Sequence, residues 1–338
     1  MVGKKTFKTI ISMLLIGTTL FGCGASSTPV NTMGEKPKNK VKIGITQFIE
    51  HDALDSARKG FIEGLKSKGY EDGKNIEIDY QNSQGDMQIA QTIAQNFASK
   101  DKDLIFAIAT PSAQAALNAT KEIPIVITAV TDPVKSGLAQ SMESSQNNVT
   151  GTSDAVSIKT QFELIKDLAP KAKSIGIIYN TSESNSEIQM EEAKNVSKEM
   201  NLNVIAAGVT NVNEINQAID SILSKIDVLY VFTDNVVASS IPLLVDKCYN
   251  KGIPIIGSER GQVLSGALAT VGIDYFKLGF QSALSAVEVI NGKKPSEVPL
   301  STLKEMTLSI NEDAIKKLNI NIPSSILDKS EKVKNEIK

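Results

Sequence analysis

The chain has few of the residues on which most metal and redox sites depend. Its 338 residues include one histidine, two cysteines and no tryptophan. A multi-histidine metal centre, a zinc finger and a scaffold held by several disulfides cannot be built from this inventory. We therefore expect neither a metal ion nor any other cofactor.

Signatures of common enzyme classes are also missing. The first predicted strand is followed by GITQFIEHDAL in place of G-x-G-x-x-G, and neither G-x-x-x-x-G-K-[ST] nor G-x-S-x-G occurs. The one histidine, His51, lies in the loop FIEHDAL, where a solvated side chain, a ligand contact and a catalytic role remain open. No pair of carboxylates is marked by spacing as an acid/base couple. The sequence gives no positive argument for an enzyme.

Neither sign of charge dominates. There are 36 basic and 38 acidic residues, and the 41% hydrophobic and 22% charged fractions are typical of globular proteins. This balance does not favour a nucleic-acid partner. The length corresponds to about two domains of ~150 residues each.

The N-terminus predicts export and lipid attachment. Three lysines precede an apolar run from Ile10 to Phe21 that is too short to span a bilayer, so residues 1–22 are predicted to be a signal peptide. Residues 20–23, LFGC, resemble the lipobox of bacterial lipoproteins, in which the Cys23 thiol takes a diacylglyceryl group. An ordinary secreted protein with an incidental cysteine is the alternative. Residues 23–40 are expected to be the lipidated cysteine and a flexible tether, and the protein is expected at the cell membrane, lipid-anchored on its extracytoplasmic side.

The second cysteine is expected to have a structural role. Cys248 lies at helical spacing from Leu244 in IPLLVDKCYNKG. A buried thiol is therefore favoured over a nucleophile.

From Val41 to about residue 275, short apolar runs alternate with longer amphipathic stretches. Strands are predicted at 41–48, 75–80, 103–109, 124–130, 174–180, 203–209, 227–233, 253–257 and 267–273. Repeated βα units indicate parallel sheets covered by helices on both faces. The alternation predicts an α/β fold in two units, one ending near Gly151 and the next beginning near Lys173.

The C-terminal section, from residue 275 onward, is predicted to add its elements to the sheets of the two preceding units. It contains a helix at 275–292, the strand EMTLSIN and the short helix EDAIKKLN. The highly charged tail SILDKSEKVKNEIK is expected to fray at its end.

Both units contain an apolar strand followed by Thr-Asp and a helix start, in ITAVTDPV (127–134) and LYVFTDNV (229–236). These side chains can cap helices. The carboxyl ends of strands in open α/β sheets are also where ligands bind, so capping and ligand contact both remain open.

Other polar residues follow predicted strand ends in both units. The helix start Thr110-Pro111-Ser112 offers free amides and hydroxyls to an anionic group such as a carboxylate. Asp234 and Glu259 could pair with an ammonium group. Phe48, Tyr179 and Phe232 lie near the same strand ends and are expected to supply aromatic surface. Such a mixed site suits a zwitterionic amino acid better than a phosphate or a metal.

Several of these segments together resemble one family. They are VKIGITQFIEHDALDSARKGFIEGL, NIEIDYQNSQGD, FAIATPSAQAA, ITAVTDPV, NVTGTSD, IGIIYNTSESNS, VFTDNVVAS and ATVGIDYFKLG. They are similar to substrate-binding lipoproteins of ABC transporters, in the subgroup that resembles bacterial tryptophan- and tyrosine-binding proteins. The resemblance runs from about residue 41 to about residue 320.

The resemblance implies a type I periplasmic-binding-protein fold, with two Rossmann-like lobes that close on a ligand in the cleft between them. Crossovers are expected near 151–154, 272–274 and 301–304, so that 41–151 with 274–301 form lobe one and 152–273 with 302–330 form lobe two. The implied function is to bind an amino acid, expected to be tryptophan, phenylalanine or tyrosine, and to deliver it to an ABC permease. The protein itself is expected to be a monomer. A sensory binding protein of the same fold, or one that takes a different small solute, is the alternative.

The resemblance also points to particular ligand contacts. They are Thr110, Ser112, Ala129, Thr131 and Asp132 in lobe one, Tyr179, Asn180, Asp234, Asn235 and Glu259 in lobe two, and then Gln47, Ser258 and Asp274. Glu259-Arg260 differs from the aspartate-arginine pair of many relatives. The glutamate keeps the negative charge but has a longer side chain.

Overall fold

Residues 40–335 are described by the computed structural model of the protein. The predicted signal peptide, the predicted lipidation site Cys23 and all of the predicted tether but its last residue lie outside the described residues. Within residues 40–335 no helix is long and apolar enough to cross a membrane.

Strands and helices alternate through most of the chain. The first part contains β1 (Val41–Gln47), α1 (Asp52–Ser67), β2 (Ile76–Asn82), α2 (Met87–Ser99), β3 (Leu104–Ile108), α3 (Thr110–Ala119), β4 (Ile125–Val130) and β5 (Val149–Ser153). The second contains α4 (Ile158–Leu168), β6 (Ser174–Asn180), α5 (Ser184–Glu199), β7 (Asn203–Val209), α6 (Ile215–Ile222), β8 (Val228–Tyr230), α7 (Asn235–Ala238), α8 (Ile241–Tyr249), β9 (Ile255–Ile256), α9 (Arg260–Leu264) and β10 (Ala269–Gly272). The last contains α10 (Tyr275–Ile290), β11 (Ser301–Thr302), β12 (Thr307–Asn311), α11 (Glu312–Leu318), α12 (Ser324–Leu327) and β13 (Glu331–Val333).

The strands form two sheets, which define two lobes. Lobe one has the strand order β11-β5-β4-β3-β1-β2, and lobe two has the order β13-β12-β10-β9-β8-β6-β7. All pairs are parallel except β10 with β12. β12 runs the other way because it enters lobe two from the crossover side, whereas β10 runs toward that side. The predicted α/β fold with two parallel-sheet lobes is confirmed.

The predicted strands all occur, although β8 and β9 are shorter than the apolar runs that predicted them. β5 was not predicted, because its sequence VTGTS is polar rather than apolar. It is nevertheless fully buried. Its hydroxyls are bonded inside the protein, from Thr150 Oγ1 to the Val298 carbonyl at 2.7 Å and between Thr152 Oγ1 and Ser282 Oγ at 2.7 Å. Satisfied hydroxyls allow a polar strand to lie in a core.

The C-terminal tail is ordered as far as residue 335, and its last three residues, where fraying is expected, lie outside the described residues. Residues 331–333 form β13, which pairs with β12. The guanidinium of Arg260 donates to Glu331 at 2.8 Å and Asn311 donates to Asn335 at 2.7 Å. These polar contacts order residues that composition alone marks as solvated.

The chain passes between the lobes three times. It leaves lobe one after β5, returns through residues 273–274 into α10, and leaves again after β11. The helix α10 packs on α1, β4 and β5 of lobe one, and β12 joins the lobe two sheet, as expected. The exact lobe boundaries stay a prediction, because residues 40–335 form a single compact unit.

The helices α1 and α10 meet through glycines. A Cβ at Gly60 would overlap the carbonyl of Phe276, and one at Gly279 would overlap the carbonyl of Ala57. Only glycine permits backbones to approach this closely. The contact seats α10, and with it Tyr275 at its first turn, against lobe one.

Cys248 is fully buried on α8 and is a free thiol. Burial raises the pKa of Cys248 to about 12. The thiol therefore stays protonated at neutral pH, which agrees with the predicted structural role.

Candidate functional site

A small, nearly closed cavity lies between the two lobes. Both lobes and two of the crossovers contribute to its wall, which contains the start of α1, the end of β4 and the starts of α7 and α9. The lining residues are His51, Leu54, Ala129, Asp154, Thr233, Asn235, Ala238, Glu259, Gln262 and Tyr275. No lysine or arginine of the described chain is among them.

Asp154 supplies a buried carboxylate that is only half satisfied. It follows β5 on the first crossover and is 2% exposed. Its Oδ2 accepts a hydrogen bond from the hydroxyl of Tyr275 at 2.5 Å, whereas Oδ1 is buried with no hydrogen-bond partner within the described residues. Burial raises the pKa of Asp154. A cationic donor in the cavity would satisfy Oδ1 and favour the charged form.

Glu259 adds a second carboxylate to the same wall. It precedes α9 and accepts hydrogen bonds from the backbone amides of Gly261 and Gln262, as helix-capping residues do. Burial raises the pKa of Glu259 to about 7, with smaller contributions from the charges of Asp52 and Asp154. Two carboxylates with no basic side chain in the described wall form a site for a positively charged group.

Apolar atoms complete the cavity. Leu54 and Ala129 come from lobe one and Ala238 comes from lobe two. Ala129 has a positive φ of 54°, which non-glycine residues seldom adopt. Such backbone strain persists where the surrounding structure enforces it, and here it lies at the end of β4 that faces the cavity.

Three polar contacts join the lobes around the cavity. Thr131 Oγ1 and Thr233 Oγ1 lie 2.9 Å apart, so the two repeated Thr-Asp motifs meet through their threonines. The amide of Gln114 donates to Ser184 Oγ at 3.1 Å. On another side, Ser265 Oγ donates to Asp52 Oδ2 at 2.9 Å. The lobes are therefore in contact across the cleft.

The start of α3 has the features of an anion site. Thr110 Oγ1 and Ser112 Oγ are buried with no hydrogen-bond partner within residues 40–335. The preceding residue, Ala109, has a φ of 80° and a ψ of 155°, a conformation found almost only in glycine. The first-turn amides and these hydroxyls can receive a carboxylate. Neither side chain lines the cavity, so ligand contact by them stays a prediction.

Three of the ligand contacts predicted from the sequence line the cavity: Ala129, Asn235 and Glu259. The amide of Asn235 donates to the carboxylate of Glu183, which holds the side chain at the start of α7. Contact of these three residues with a ligand is not tested by the structure and stays a prediction.

Asp234 has a capping role in lobe two, and its contact with a ligand stays a prediction. Its Oδ2 accepts from the Asn180 amide at 2.5 Å and from Ser186 Oγ at 2.7 Å, and its Oδ1 accepts from the Val237 amide at 2.9 Å. Asp234 thus caps α7 and does not line the cavity. Burial, with the neighbouring charge of Asp234, raises the pKa of Glu183 to about 8. Both carboxylates belong to a buried network inside lobe two.

The remaining predicted contacts in lobe one also lie outside the cavity wall. The side chain of Gln47 bonds to the Ile49 carbonyl at 2.9 Å and to Asp55 Oδ1 at 2.8 Å, which fixes the entry to α1. Asp132 accepts from the amide of Lys135 at 2.9 Å and caps a turn. Thr131 is used in the contact between the lobes. Polar residues at strand ends here hold loops together.

The same holds for three predicted contacts in lobe two and for Asp274 on the second crossover. Asn180 accepts from the amide of Ser182 at 2.9 Å in a turn. Ser258 Oγ donates to the Val231 carbonyl at 2.7 Å. Tyr179 is half-buried on β6 and lies outside the cavity. Asp274 is exposed and accepts from the amide of Lys277 at 3.1 Å, capping α10.

Sequence reasoning missed Asp154 and Tyr275 because it searched strand ends. Both residues lie on connections between the lobes, where the sequence shows no strand-end pattern. The available signal was an acidic residue, Asp154, directly after the segment VTGTS and at a predicted crossover. The aromatic surface expected from Phe48 and Phe232 is absent from the described cavity wall, because both rings are buried in the core.

Two α/β lobes joined by three crossovers, with a cavity between them, define a solute-binding protein of the type I periplasmic-binding-protein fold. The chain belongs to the family of ABC transporter substrate binding proteins, whose model matches residues 42–334. Members of this family bind solutes and are not enzymes. Among its relatives is the tyrosine-binding protein of Clostridioides difficile (strain R20291), 50% identical over 321 residues that cover 94% of this chain and 93% of the relative.

Two solved structures differ in how well their overall shape agrees with this chain. An ABC domain in complex with L-Trp from Streptococcus pneumonia is 36% identical, covers 87% of this chain and 100% of its own, and has a TM-score of 0.84. The ligand-free, open structure of a substrate binding protein with adhesive properties from Clostridium difficile is 50% identical, with 87% and 99% coverage, but has a TM-score of only 0.66. Together with the contacts across the cleft, this difference indicates that the lobes of the present chain are closed.

Proposed function

We propose that the protein is the extracytoplasmic solute-binding component of an ABC importer and that its ligand is an aromatic amino acid. The observation that carries the proposal is the buried, unbonded Oδ1 of Asp154 in a cleft whose described wall has no basic side chain. The tyrosine-binding relative and the neighbour bound to L-Trp support the aromatic class.

The ammonium group and the ring of an amino acid have matching groups on the cavity wall, and the carboxylate has a candidate partner at the start of α3. The ammonium group would bind Asp154, with Glu259 on the same wall. The carboxylate would bind at the start of α3, where Thr110 and Ser112 carry unbonded hydroxyls. The ring would pack against Leu54 and the other apolar atoms of the wall. A ligand held in this way contacts both lobes and both of the crossovers beside the cavity.

Closure then links binding to delivery. The contacts Thr131–Thr233, Gln114–Ser184 and Asp52–Ser265 exist only when the lobes are together. A ligand that bridges the lobes stabilises this form and presents one combined surface to a permease. No bond of the ligand is made or broken in this cycle.

A thermal-shift panel tests the ligand class. Purified protein, partly unfolded and dialysed to remove bound ligand, is screened against the twenty amino acids, nucleosides and sugars. Ligand at about 100 times its Kd adds ~2.7 kcal/mol to the free energy of unfolding, which raises Tm by several degrees. We expect such shifts with L-tyrosine, L-tryptophan or L-phenylalanine only. Because the chain has no tryptophan, bound L-tryptophan can be followed by its own fluorescence.

Two analogues sharpen this experiment. N-acetyl-L-tyrosine lacks the ammonium group, and tyramine lacks the carboxylate. We expect the first to give no shift, since Asp154 would face a neutral amide, and the second to give a reduced shift. Shifts with sugars or nucleosides, or equal shifts with N-acetyl-L-tyrosine and L-tyrosine, would contradict the proposal.

We also propose that Cys23 anchors the protein to the outer face of the cell membrane through a diacylglyceryl group. Replacing Cys23 with Ser removes the acylated thiol, so the exported protein is expected in the soluble fraction. Cell fractionation with immunoblotting measures this. Replacing Cys248, the buried cysteine, with Ala is the control and should leave the protein in the membrane fraction. Retention of C23S at the membrane would exclude the lipid anchor.

A further inference from the structure

One hydrogen bond joins two of the three crossovers. Asp154 stands between β5 of lobe one and α4 of lobe two, and Tyr275 begins α10, where the chain returns to lobe one. The hydroxyl of Tyr275 donates to Oδ2 of Asp154 at 2.5 Å. The two residues are 2% and 6% exposed, so water competes little for this bond.

We propose that Tyr275 is a positioning residue for ligand binding, because it holds the Asp154 carboxylate with Oδ1 directed to the ligand ammonium group. The inference rests on the proposed function, since it takes the ligand to be an amino acid. Tyr275 acts on the ammonium group through Asp154.

The geometry of a carboxylate explains the effect. The group is planar, and its torsion about the Cβ–Cγ bond is broad and weakly constrained on its own. A short bond from Tyr275 to one oxygen restrains this torsion and so determines where the other oxygen lies. Since Tyr275 and Asp154 are on different crossovers, a hinge motion that separates these segments would also misplace Oδ1. The ammonium contact is therefore coupled to closure.

The charges around Asp154 make the hydrogen bond from Tyr275 important for keeping the Asp154 carboxylate ionised. Glu259 faces the cavity from the start of α9 and His51 from the start of α1, while Asp52 lies close to Glu259. No lysine or arginine of the described chain lines the cavity. Burial raises the pKa of Asp154, and the hydrogen bond from Tyr275 acts against that rise. Loss of the Tyr275 hydroxyl therefore raises the pKa of Asp154 further.

The variant Y275F tests the proposal, with L-tyrosine and L-tryptophan as probes. Isothermal titration between pH 5.5 and pH 8.5 measures their Kd. At pH 7 we expect Y275F to bind about tenfold more weakly than the unmodified protein. Affinity falls in both proteins as pH falls, because the protonated carboxyl no longer attracts the ammonium group. In Y275F this fall should begin at a higher pH.

Tyr249 provides a matched control. Its hydroxyl is buried in lobe two, donates to the Gly266 carbonyl at 2.6 Å and lies outside the cavity wall. Y249F also loses one buried tyrosine hydrogen bond, so its Tm should fall while its affinity and pH profile stay unchanged. A merely structural role of Tyr275 would produce the same pattern in Y275F.

The outcomes separate this inference from the proposed function. Unchanged affinity and an unchanged pH profile in folded Y275F would overturn the positioning role and leave the proposed function standing. Absence of binding of both probes by the unmodified protein would overturn the proposed function. If Y275F does not fold, site-specific replacement of Tyr275 by 3-fluorotyrosine, a stronger donor, should move the fall in affinity to lower pH. No movement would overturn the positioning role.

Discussion

Replacing Asp154 with Asn is expected to lower the affinity for the amino-acid ligand by about 3–5 kcal/mol, which amounts to a loss of roughly two to three and a half orders of magnitude. The variant removes the negative charge whose Oδ1 is buried without a partner in the described chain. The side-chain amide of asparagine can also direct a donor toward the ammonium group, which is itself a donor, so the two groups cannot form a hydrogen bond. Isothermal titration at pH 8 measures the loss.

The same variant is expected to be more stable than the unmodified protein when no ligand is bound. Burial raises the pKa of Asp154 in the folded state. A carboxyl whose pKa is higher in the folded than in the unfolded protein stabilises the fold at pH values below its pKa in the unfolded protein. This stabilisation is lost as the pH rises through its pKa in the folded protein. D154N lacks this titration, so its advantage in Tm should be present at pH 8 and vanish near pH 4. A site built for a ligand commonly trades stability for binding in this way.

Asp103 provides the control for Asp154. It lies just before β3, at the end of the sheet opposite the cleft, and accepts from the Lys42 amide at 2.7 Å. The side-chain oxygen of D103N can still accept this bond, so its affinity should equal that of the unmodified protein. If D154N retains affinity within about threefold, the ammonium group binds elsewhere in the cleft and Glu259 becomes the candidate.

Replacing Gly279 with Ala is expected to cost about 3 kcal/mol of unfolding free energy. The new Cβ would overlap the carbonyl oxygen of Ala57, so α1 and α10 must move apart. Backbone atoms cannot yield as a flexible side chain can, which places the cost at the upper end for overpacking. For a protein of this size we expect Tm to fall by about 6–12 °C in calorimetry.

A control variant at Gly252 distinguishes the cost of steric overlap from the cost of backbone strain. It has a φ of +69°, and a Cβ there would meet no atom within 4 Å. G252A should therefore lose only about 1 kcal/mol from the unfavourable φ. Equal losses in both variants would contradict the close helix crossing. Because α10 begins at Tyr275, G279A should also weaken ligand binding, whereas G252A should not.

Much of the fold was predictable because local patterns agree with it. Apolar runs such as 41–48 and 174–180 mark strands buried on both faces, and the helix between Asp52 and Ser67 shows regular apolar spacing. Polar β5 escaped prediction because its burial depends on partners such as Ser282, which lies far away in the sequence.

The candidate site was harder to predict than the fold. Strand-end reasoning found Glu259 and Asn235, which line the cavity, but it also selected Asp234, whose oxygens are consumed in capping α7. A carboxylate that caps a helix and one that faces a ligand have the same sequence appearance. Glu259 also caps a helix, α9, and only its position on the cavity wall distinguishes it from Asp234.

The sequence by itself determined the class of protein: the inventory of histidine and cysteine excludes most metal chemistry, the βα alternation specifies two parallel-sheet lobes, and the ordered motifs identify the family. Tertiary structure alone decided which carboxylate is available to a ligand. Asp154 and Tyr275 are 121 residues apart and meet only because two crossovers run side by side. Apolar periodicity is a local property of the chain, whereas an unbonded oxygen is defined by everything packed around it.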